Sequence, residues 1–148
     1  MSHGHHQSFE TAEDHVKIAD VIRRLIINDE KKEREDLSGK PKIFFLQMCR
    51  NPKKPEQTDH PLMNPPLDTD DTLVFHSTYH GNVSYRLSDG TPFFQKLCEK
   101  INQIPDGDSV SLTDVLHEVQ KSVVGKLGQF QMPIIYSTLT KPIFIRKH

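Results

Sequence analysis

The apolar residues of the chain recur with the spacing of three amphipathic helices. Over residues 12–27 they lie three and four positions apart, which predicts a helix with one apolar face. A second helix is predicted to begin near Pro92, because the first turn of a helix tolerates proline. A third is predicted to begin at Ser111, whose hydroxyl can cap it, and to be stopped by Gly125 and Gly128.

Four short apolar runs predict strands between and after these helices. They cover residues 43–48, 72–78, 133–139 and 142–145. The first run is continuously apolar and rich in aromatic residues, which is typical of a strand covered on both faces in a parallel sheet. The order helix, strand, linker, strand, helix, helix, strand predicts an α/β fold. Cys49 follows the first strand directly, at the end of the sheet where open α/β folds build their sites.

Composition narrows the possible functions. The chain has 148 residues, enough for one domain, and its net charge of -1 offers no field that would attract nucleic acid or anionic lipid. No apolar run is long enough to cross a membrane. Two cysteines make no disulfide framework and fit a reducing cytoplasm. The N-terminal histidines are not followed by Cys or carboxylate ligands at zinc-like spacing, so no metal is expected, and no cofactor either.

A group of sequence motifs resembles one known family. Cys49 stands in the run Gln47-Met48-Cys49-Arg50-Asn51, and the triplet Ser2-His3-Gly4 places a histidine 46 positions before it (49 minus 3). This pattern resembles the nucleophile signature of the caspase family, in which a histidine precedes the cysteine by roughly 50 residues. Further stretches resemble the same family in the same order, namely residues 39–45, 77–86, 89–98, 131–133 and 137–141. The resemblance implies a caspase-like three-layer α/β/α sandwich with a mostly parallel central sheet.

The resemblance also implies a cysteine endopeptidase and assigns its catalytic groups. Cys49 would be the nucleophile and His3 the base, because a thiol that is mostly protonated at neutral pH needs a neighbouring imidazole to take its proton. The backbone N–H groups of Gly4 and Cys49 would form the oxyanion hole, which holds the charge of the tetrahedral intermediate.

The family's substrate preference points to a second set of residues. Caspases cut after aspartate and hold its carboxylate between two arginines and a glutamine, and Gln47 and Arg86 match two of these three positions. A guanidinium suits a planar carboxylate because it can donate two parallel hydrogen bonds. Ser84, Tyr85 and Val83 belong to the same substrate-binding stretch, and Tyr85 and Val83 are expected to line the neighbouring pocket.

The resemblance divides the chain into three parts. Residues 1–50 match the C-terminal part of the caspase large subunit, residues 51–71 the intersubunit linker and residues 72–148 the small subunit. Caspases mature from zymogens by cutting in the linker, and Asp59 and Asp70 each end a four-residue stretch that fits such processing. The other interpretation is a proline-rich acidic loop with incidental aspartates, and the sequence does not separate the two.

Three features depart from the caspase pattern. Met48 replaces the usual alanine and Asn51 the usual glycine beside the nucleophile. Residues 5–9 replace a loop that is normally acidic and rich in glycine. The chain also begins at the histidine motif, so no residue matches the second pocket arginine and the N-terminal strands of the sheet are expected to be missing. We therefore expect this sequence to be a fragment of a caspase.

Two functions are consistent with these residues. The first is proteolysis after aspartate, acting on protein or peptide substrates in apoptosis-type signalling. The alternative is a catalytically inactive, caspase-like binding module that pairs with a full-length caspase and regulates it. In both cases a homodimer or caspase heterodimer is expected to form through the C-terminal strand at residues 133–139, with no nucleic acid or membrane as partner. A third possibility is a truncated product without function.

Overall fold

The structure is a computed structural model that describes residues 4–5, 8–10, 15–27, 35–49, 70–79, 82–88 and 90–147. Its elements in chain order are the strands β1 (Gly4–His5), β2 (Ser8–Glu10) and β3 (His15–Lys17), the helix α1 (Ile18–Ile26), the strands β4 (Lys42–Leu46) and β5 (Thr72–His76), the helix α2 (Pro92–Asn102), the strand β6 (Ser109–Ser111), the helix α3 (Leu112–Leu127), a short 3₁₀ helix (Gly128–Phe130), and the strands β7 (Ile134–Ser137) and β8 (Phe144–Arg146). This is the α/β composition that the sequence predicts.

The first helix is shorter than its apolar pattern predicts. The helix α1 begins at Ile18, and the preceding residues His15–Lys17 form β3, which pairs antiparallel with β2. Residues 11–14 lie outside the described residues. The prediction was wrong in this part because an apolar residue at a helical spacing also fits a strand, and backbone pairing with β2 selected the strand.

The other two helices start where predicted. Pro92 is the first residue of α2, and the side chain of Thr91 caps the helix by accepting a hydrogen bond from the Phe94 N–H at 3.4 Å. Ser111 precedes α3, but its side chain makes no capping hydrogen bond. The Leu112 N–H donates instead to the Ile143 carbonyl at 2.8 Å, because β6 and β8 pair beside the helix start.

One of the two predicted stop signals of α3 is wrong. Gly125 lies inside the helix, whereas Gly128 adopts a left-handed φ of 60° and ends it. A glycine inside a helix costs only about 1 kcal/mol relative to alanine, so the buried apolar face of α3 outweighs it. The apolar positions that the pattern predicts on this face are all buried, namely Leu112, Val115, Leu116, Val119 and Val123.

The central sheet has the strand order β4-β5-β7. The strands β4 and β5 run parallel, with Lys42 opposite Thr72, and β7 runs antiparallel to β5. The mostly parallel sheet that the resemblance implies is represented in the described segments by one parallel and one antiparallel pairing. The strand β6 pairs with β8 in a separate two-stranded sheet, and the sequence does not predict β6 because it has a single apolar residue, Val110.

Two hydrophobic cores cover the two faces of the central sheet. One contains the apolar face of α1 (Ile18, Ile22 and Ile26) together with Met48, Val74, Phe44 and Leu46. The other contains residues of α2 and α3 together with Ile43, Phe45, Leu73 and Phe75. Neighbouring residues of β4 and β5 therefore alternate between the cores, as the two-residue period of a strand requires. The three-layer α/β/α arrangement is confirmed, with α1 on one side and α2 and α3 on the other.

The small strands near the start of the chain form a third sheet. It has the order β1-β2-β3, and both pairings are antiparallel. Within the described segments, no helix combines the length and the apolar character that crossing a bilayer requires.

A hydrogen-bonded turn fixes the start of β5. Asp71 has a left-handed φ of 49°, and its carboxylate accepts hydrogen bonds from the Thr140 N–H at 2.9 Å and the Thr140 hydroxyl at 2.6 Å. The Asp71 carbonyl accepts from the Lys42 N–H at 2.8 Å. The two hydrogen bonds from Thr140 lower the pKa of the Asp71 carboxyl, because they stabilise its ionised form. The turn thus ties the start of β5 to both neighbouring strands.

The lowered pKa predicts how the stability of the turn depends on pH. The carboxylate contributes stability above its usual pKa of 3.8, and this contribution is lost as the pH falls through the lower folded-state value. In denaturant unfolding, we expect Asp71→Asn to be less stable than the wild type above about pH 5, and the difference to shrink toward about pH 2. Asp108→Asn, on an exposed loop, controls for the loss of a surface charge. A difference for Asp71→Asn that stays constant over this range would contradict the assignment.

Candidate active site

Because β4 and β5 pair in parallel, the residues that follow them lie together at the carboxyl-terminal end of the sheet. Ser77 comes directly after β5, and its N–H donates to the Leu46 carbonyl at the end of β4, at 2.8 Å. The Ser77 hydroxyl also accepts from the Met48 N–H at 3.2 Å and lies 3.3 Å from the Met48 carbonyl, to which it donates. These bonds hold the backbone just before Cys49 against the end of β5.

Cys49 lies half-buried against the backbone of Ser84. The Ser84 N–H donates to the Cys49 Sγ at 3.4 Å, and the thiol lies 3.6 Å from the Ser84 carbonyl oxygen. The two residues are 35 positions apart in sequence. The structure therefore places the predicted nucleophile beside the stretch that the sequence assigns to substrate binding.

Gln47 contacts the same serine through its side chain. Its Nε2 donates to the Ser84 Oγ, whereas its buried Oε1 has no hydrogen-bond partner within the described part of the chain. A buried polar atom without a partner usually marks a place for water or a ligand. A half-turn of the amide exchanges the two atoms, so Gln47 can offer either a donor or an acceptor there.

The remaining predicted substrate residues follow Ser84 or precede it. Val83 is half-buried, and the Tyr85 side chain is 37% exposed. Arg86 is exposed, and no ion pair joins it to another described residue. Its guanidinium is therefore available to a carboxylate that enters from solvent.

Two residues of this site have no role in the sequence analysis, although both lie in stretches that resemble the family. Gln131 is fully buried, its Nε2 donates to the Ser77 carbonyl at 3.0 Å and to the Ser84 Oγ at 3.3 Å, and its Oε1 accepts from the Tyr85 N–H at 2.9 Å. Ser77 was missed because the predicted strand extended through residue 78, whereas β5 ends at His76. No local pattern singles out Gln131, since its partners are distant in sequence.

The other predicted site residues lie elsewhere or are not described. His3 and Asp59 lie outside the described residues. Gly4 belongs to β1, in a different sheet from β4. Asp70 is exposed in the turn that precedes β5. The structure thus brings Gln47 and Cys49 into contact with Ser84. The pocket roles of Val83, Tyr85 and Arg86 stay predictions, as do the base, the oxyanion glycine and the processing aspartates.

The described segments contain no second cluster of reactive groups of this kind. Cys98, the other cysteine, is exposed on α2. Among the described residues, no group of three or more His, Cys, Asp or Glu side chains is arranged to hold a metal ion. The chemistry that the described site offers is that of a thiol and an amide that both contact Ser84.

Comparison with known proteins identifies the family. A family model described as the caspase domain of peptidase class C14 matches residues 1–144. Caspase-7 of Gallus gallus is 31% identical over 132 residues, which cover 73% of this chain and 42% of that protein. Caspase-8 of Mus musculus is 34% identical over 128 residues, covering 73% of this chain and 27% of that protein. Caspase-3 of Xenopus laevis is 33% identical over 124 residues, covering 75% of this chain and 43% of that protein.

The chain spans less than half the length of these three relatives. The family model nevertheless matches nearly the whole length of this chain. The chain therefore belongs to the caspase family of cysteine peptidases.

Proposed function

We propose that this chain carries the nucleophile and the aspartate-binding groups of an endopeptidase that cleaves protein and peptide substrates after aspartate. One observation carries the proposal. Ser84 contacts both Cys49 and Gln47 and is followed within two residues by Arg86. A thiol and an amide thus contact one residue, Ser84, which precedes by two positions a guanidinium of the kind that suits a substrate carboxylate.

The proposed reaction uses two catalytic residues and two backbone donors. His3 accepts the proton of the Cys49 thiol, and the sulfur then attacks the carbonyl carbon of the scissile peptide bond. The N–H groups of Gly4 and Cys49 donate to the oxyanion that forms. Breaking the C–N bond releases an amine, which receives the proton from His3. Water activated by His3 hydrolyses the resulting thioester and restores the thiol.

The position before the scissile bond is proposed to select aspartate. Arg86 offers two N–H donors in one plane, which match the two oxygens of a carboxylate, and the Gln47 amide offers a further donor. Asparagine has nearly the same shape as aspartate but no negative charge. Discrimination between these two side chains therefore reports on the guanidinium rather than on pocket size.

The subunit division, the dimerisation and the cellular role are also proposed from the family. Residues 1–50 and 72–148 would be the large-subunit and small-subunit parts, joined by the linker at residues 51–71 and made as a zymogen. We propose that the mature enzyme dimerises through β7 or pairs there with another caspase. Its site of action would be the cytoplasm, in apoptosis-type signalling.

The proposed nucleophile can be tested against the second cysteine. In the purified full-length protein, we expect Cys49→Ala to lower kcat/KM for a peptide with Asp before the scissile bond by at least about a thousandfold. Cys98→Ala is the matched control, because Cys98 is exposed on α2 away from this site and its loss should leave the rate unchanged. Equal activity of Cys49→Ala and the wild type would refute the proposed mechanism.

The position of β7 favours the second candidate, a binding module that regulates a caspase. In the described part of the sheet, β7 pairs with β5 alone and its other edge carries no strand. Such an edge can add a strand from a partner. A module of this kind needs the edge and not the thiol.

Association and hydrolysis separate the two candidates. If the chain is only a binding module, it should co-sediment with a purified full-length caspase at micromolar concentration and hydrolyse no Asp-containing peptide by itself. Cys49→Ala should then bind as tightly as the wild type. If the wild type hydrolyses the peptide and Cys49→Ala does not, the chain is not only a binding module.

We propose that the linker is cut upstream of Asp70 and not directly after it. The Asp70 carbonyl accepts from the Thr72 hydroxyl at 3.1 Å, and the next residue, Asp71, is held by Thr140 and Lys42. A protease binds its substrate in an extended form on both sides of the cut. Cutting after Asp70 would therefore require Thr72, which is fully buried, to leave the sheet. Asp59 is the better candidate because no strand pattern directly follows it, although Pro61 restrains the conformation of His60 beside that cut.

This preference predicts the N-terminus of the small fragment. After incubation with an active caspase, we expect the mass of that fragment to place its N-terminus before residue 70. Asp59→Asn should slow the cut, whereas Asp70→Asn should leave its rate and position unchanged. A small fragment that begins at Asp71 would show that β5 opens readily at its start and would contradict the proposal.

A further inference from the structure

Gln131 is a fully buried polar residue between two exposed neighbours. It lies between the short 3₁₀ helix and β7, and its neighbours Phe130 and Met132 are 63% and 42% exposed. Local apolar packing would bury one of these two hydrophobic side chains before it buried an amide. Burial of an amide is unfavourable unless hydrogen bonds replace its water, so the partners of Gln131 explain its position.

Among the described residues, the hydrogen bonds of the Gln131 side-chain amide go to segments that build the candidate site. The donor Nε2 bonds to the carbonyl of Ser77, the residue that holds the backbone before Cys49. It also bonds to the Oγ of Ser84, which accepts from Gln47. The acceptor Oε1 bonds to the Tyr85 N–H at 2.9 Å, one residue before Arg86. One amide therefore connects the end of β5 with the substrate-binding stretch.

This arrangement fixes the backbone at residues 84 and 85 through the N–H groups of both residues. The Ser84 backbone contacts the Cys49 sulfur, and Gln131 binds the next N–H along the chain. The spacing between the sulfur and Arg86 therefore depends on a bond that neither of them makes. Loss of that bond would let residues 82–87 shift relative to Cys49, although no group that touches the substrate had been removed.

We infer that Gln131 is a positioning residue that holds residues 84–86 at the correct distance from Cys49 and thereby sets the affinity and selectivity for aspartate. The inference rests on the proposed function for its kinetic consequence, and on the structure alone for its effect on the backbone. The substitution Gln131→Met tests both, because methionine has a similar length and flexibility but lacks the amide.

Gln120 supplies a matched control. Its Nε2 donates to the Pro133 carbonyl at 2.9 Å, so it too is a half-buried glutamine bound to the chain just before β7. It has no contact with Ser77, Ser84 or Tyr85 among its hydrogen bonds. Gln120→Met therefore removes a similar bond from the same connection without touching the site.

The kinetic test measures kcat and KM on two peptides that differ only in Asp or Asn before the scissile bond. For Gln131→Met, we expect KM for the Asp peptide to rise about tenfold and the Asp-to-Asn preference in kcat/KM to fall by a similar factor. Gln120→Met should change neither. A merely structural role would lower the active fraction, which scales kcat equally on both peptides and leaves KM and the preference unchanged. Such a result would overturn the inference.

A measurement without substrate separates this inference from the proposed function. In hydrogen exchange of the full-length protein, the Tyr85 amide should be protected in the wild type and should exchange at least about tenfold faster in Gln131→Met, with β5 amides unchanged. Exchange of Tyr85 at the rate of an exposed amide in the wild type would overturn the inference, even if Gln131→Met failed to fold. If the Tyr85 amide loses protection in Gln131→Met but the wild type hydrolyses no peptide, the proposed function is refuted and the positioning role of Gln131 stays supported.

Discussion

The parallel pairing of β4 with β5 is the constraint on which the rest of the structure depends. Every residue of β5 is buried, and its side chains alternate between the core with α1 and the core with α2 and α3. Because the two strands run in the same direction, the residues that follow them emerge at one edge. Met48, the residue before Cys49, contacts Ser77 for this reason. An antiparallel β4 would carry Cys49 to the opposite edge, away from the end of β5 and from Ser84.

The edge that carries the site is polar, and its buried groups are bonded mainly to one another. Ser77, Ser84 and Gln131 exchange hydrogen bonds across three separate segments of the chain. Such groups are favourable inside a protein only when their bonds are complete, so each fixes the position of the others. Within the described segments, the Gln47 Oε1 is the member of this network that lacks a partner.

At the other end of the sheet, where β4 and β5 begin, hydrogen bonds stabilise the fold. Asp71 closes a turn against Thr140, and the Lys42 N–H bonds to its carbonyl, so the starts of β4 and β5 are held together. A parallel pair needs a long connection, because the chain must return along the whole strand before pairing again. Residues 50–69, which connect the two strands in sequence, lie outside the described residues. A cut within them would leave every β4–β5 hydrogen bond intact, as the proposed processing requires.

The class of fold, two of the three helix starts, the strands of the central sheet and the family can all be predicted from the amino-acid sequence. These depend on local signals such as the proline at position 92, the apolar runs and the motif around Cys49. The start of α1 was predicted wrongly, because a short apolar pattern fits a helix or a strand equally well. Only the tertiary structure decided that Ser84 contacts both Cys49 and Gln47, and that Gln131 joins them. These contacts link residues 35 or more positions apart, and their partners are selected by strand direction and by the need to satisfy buried polar groups, neither of which is written in a local stretch of sequence.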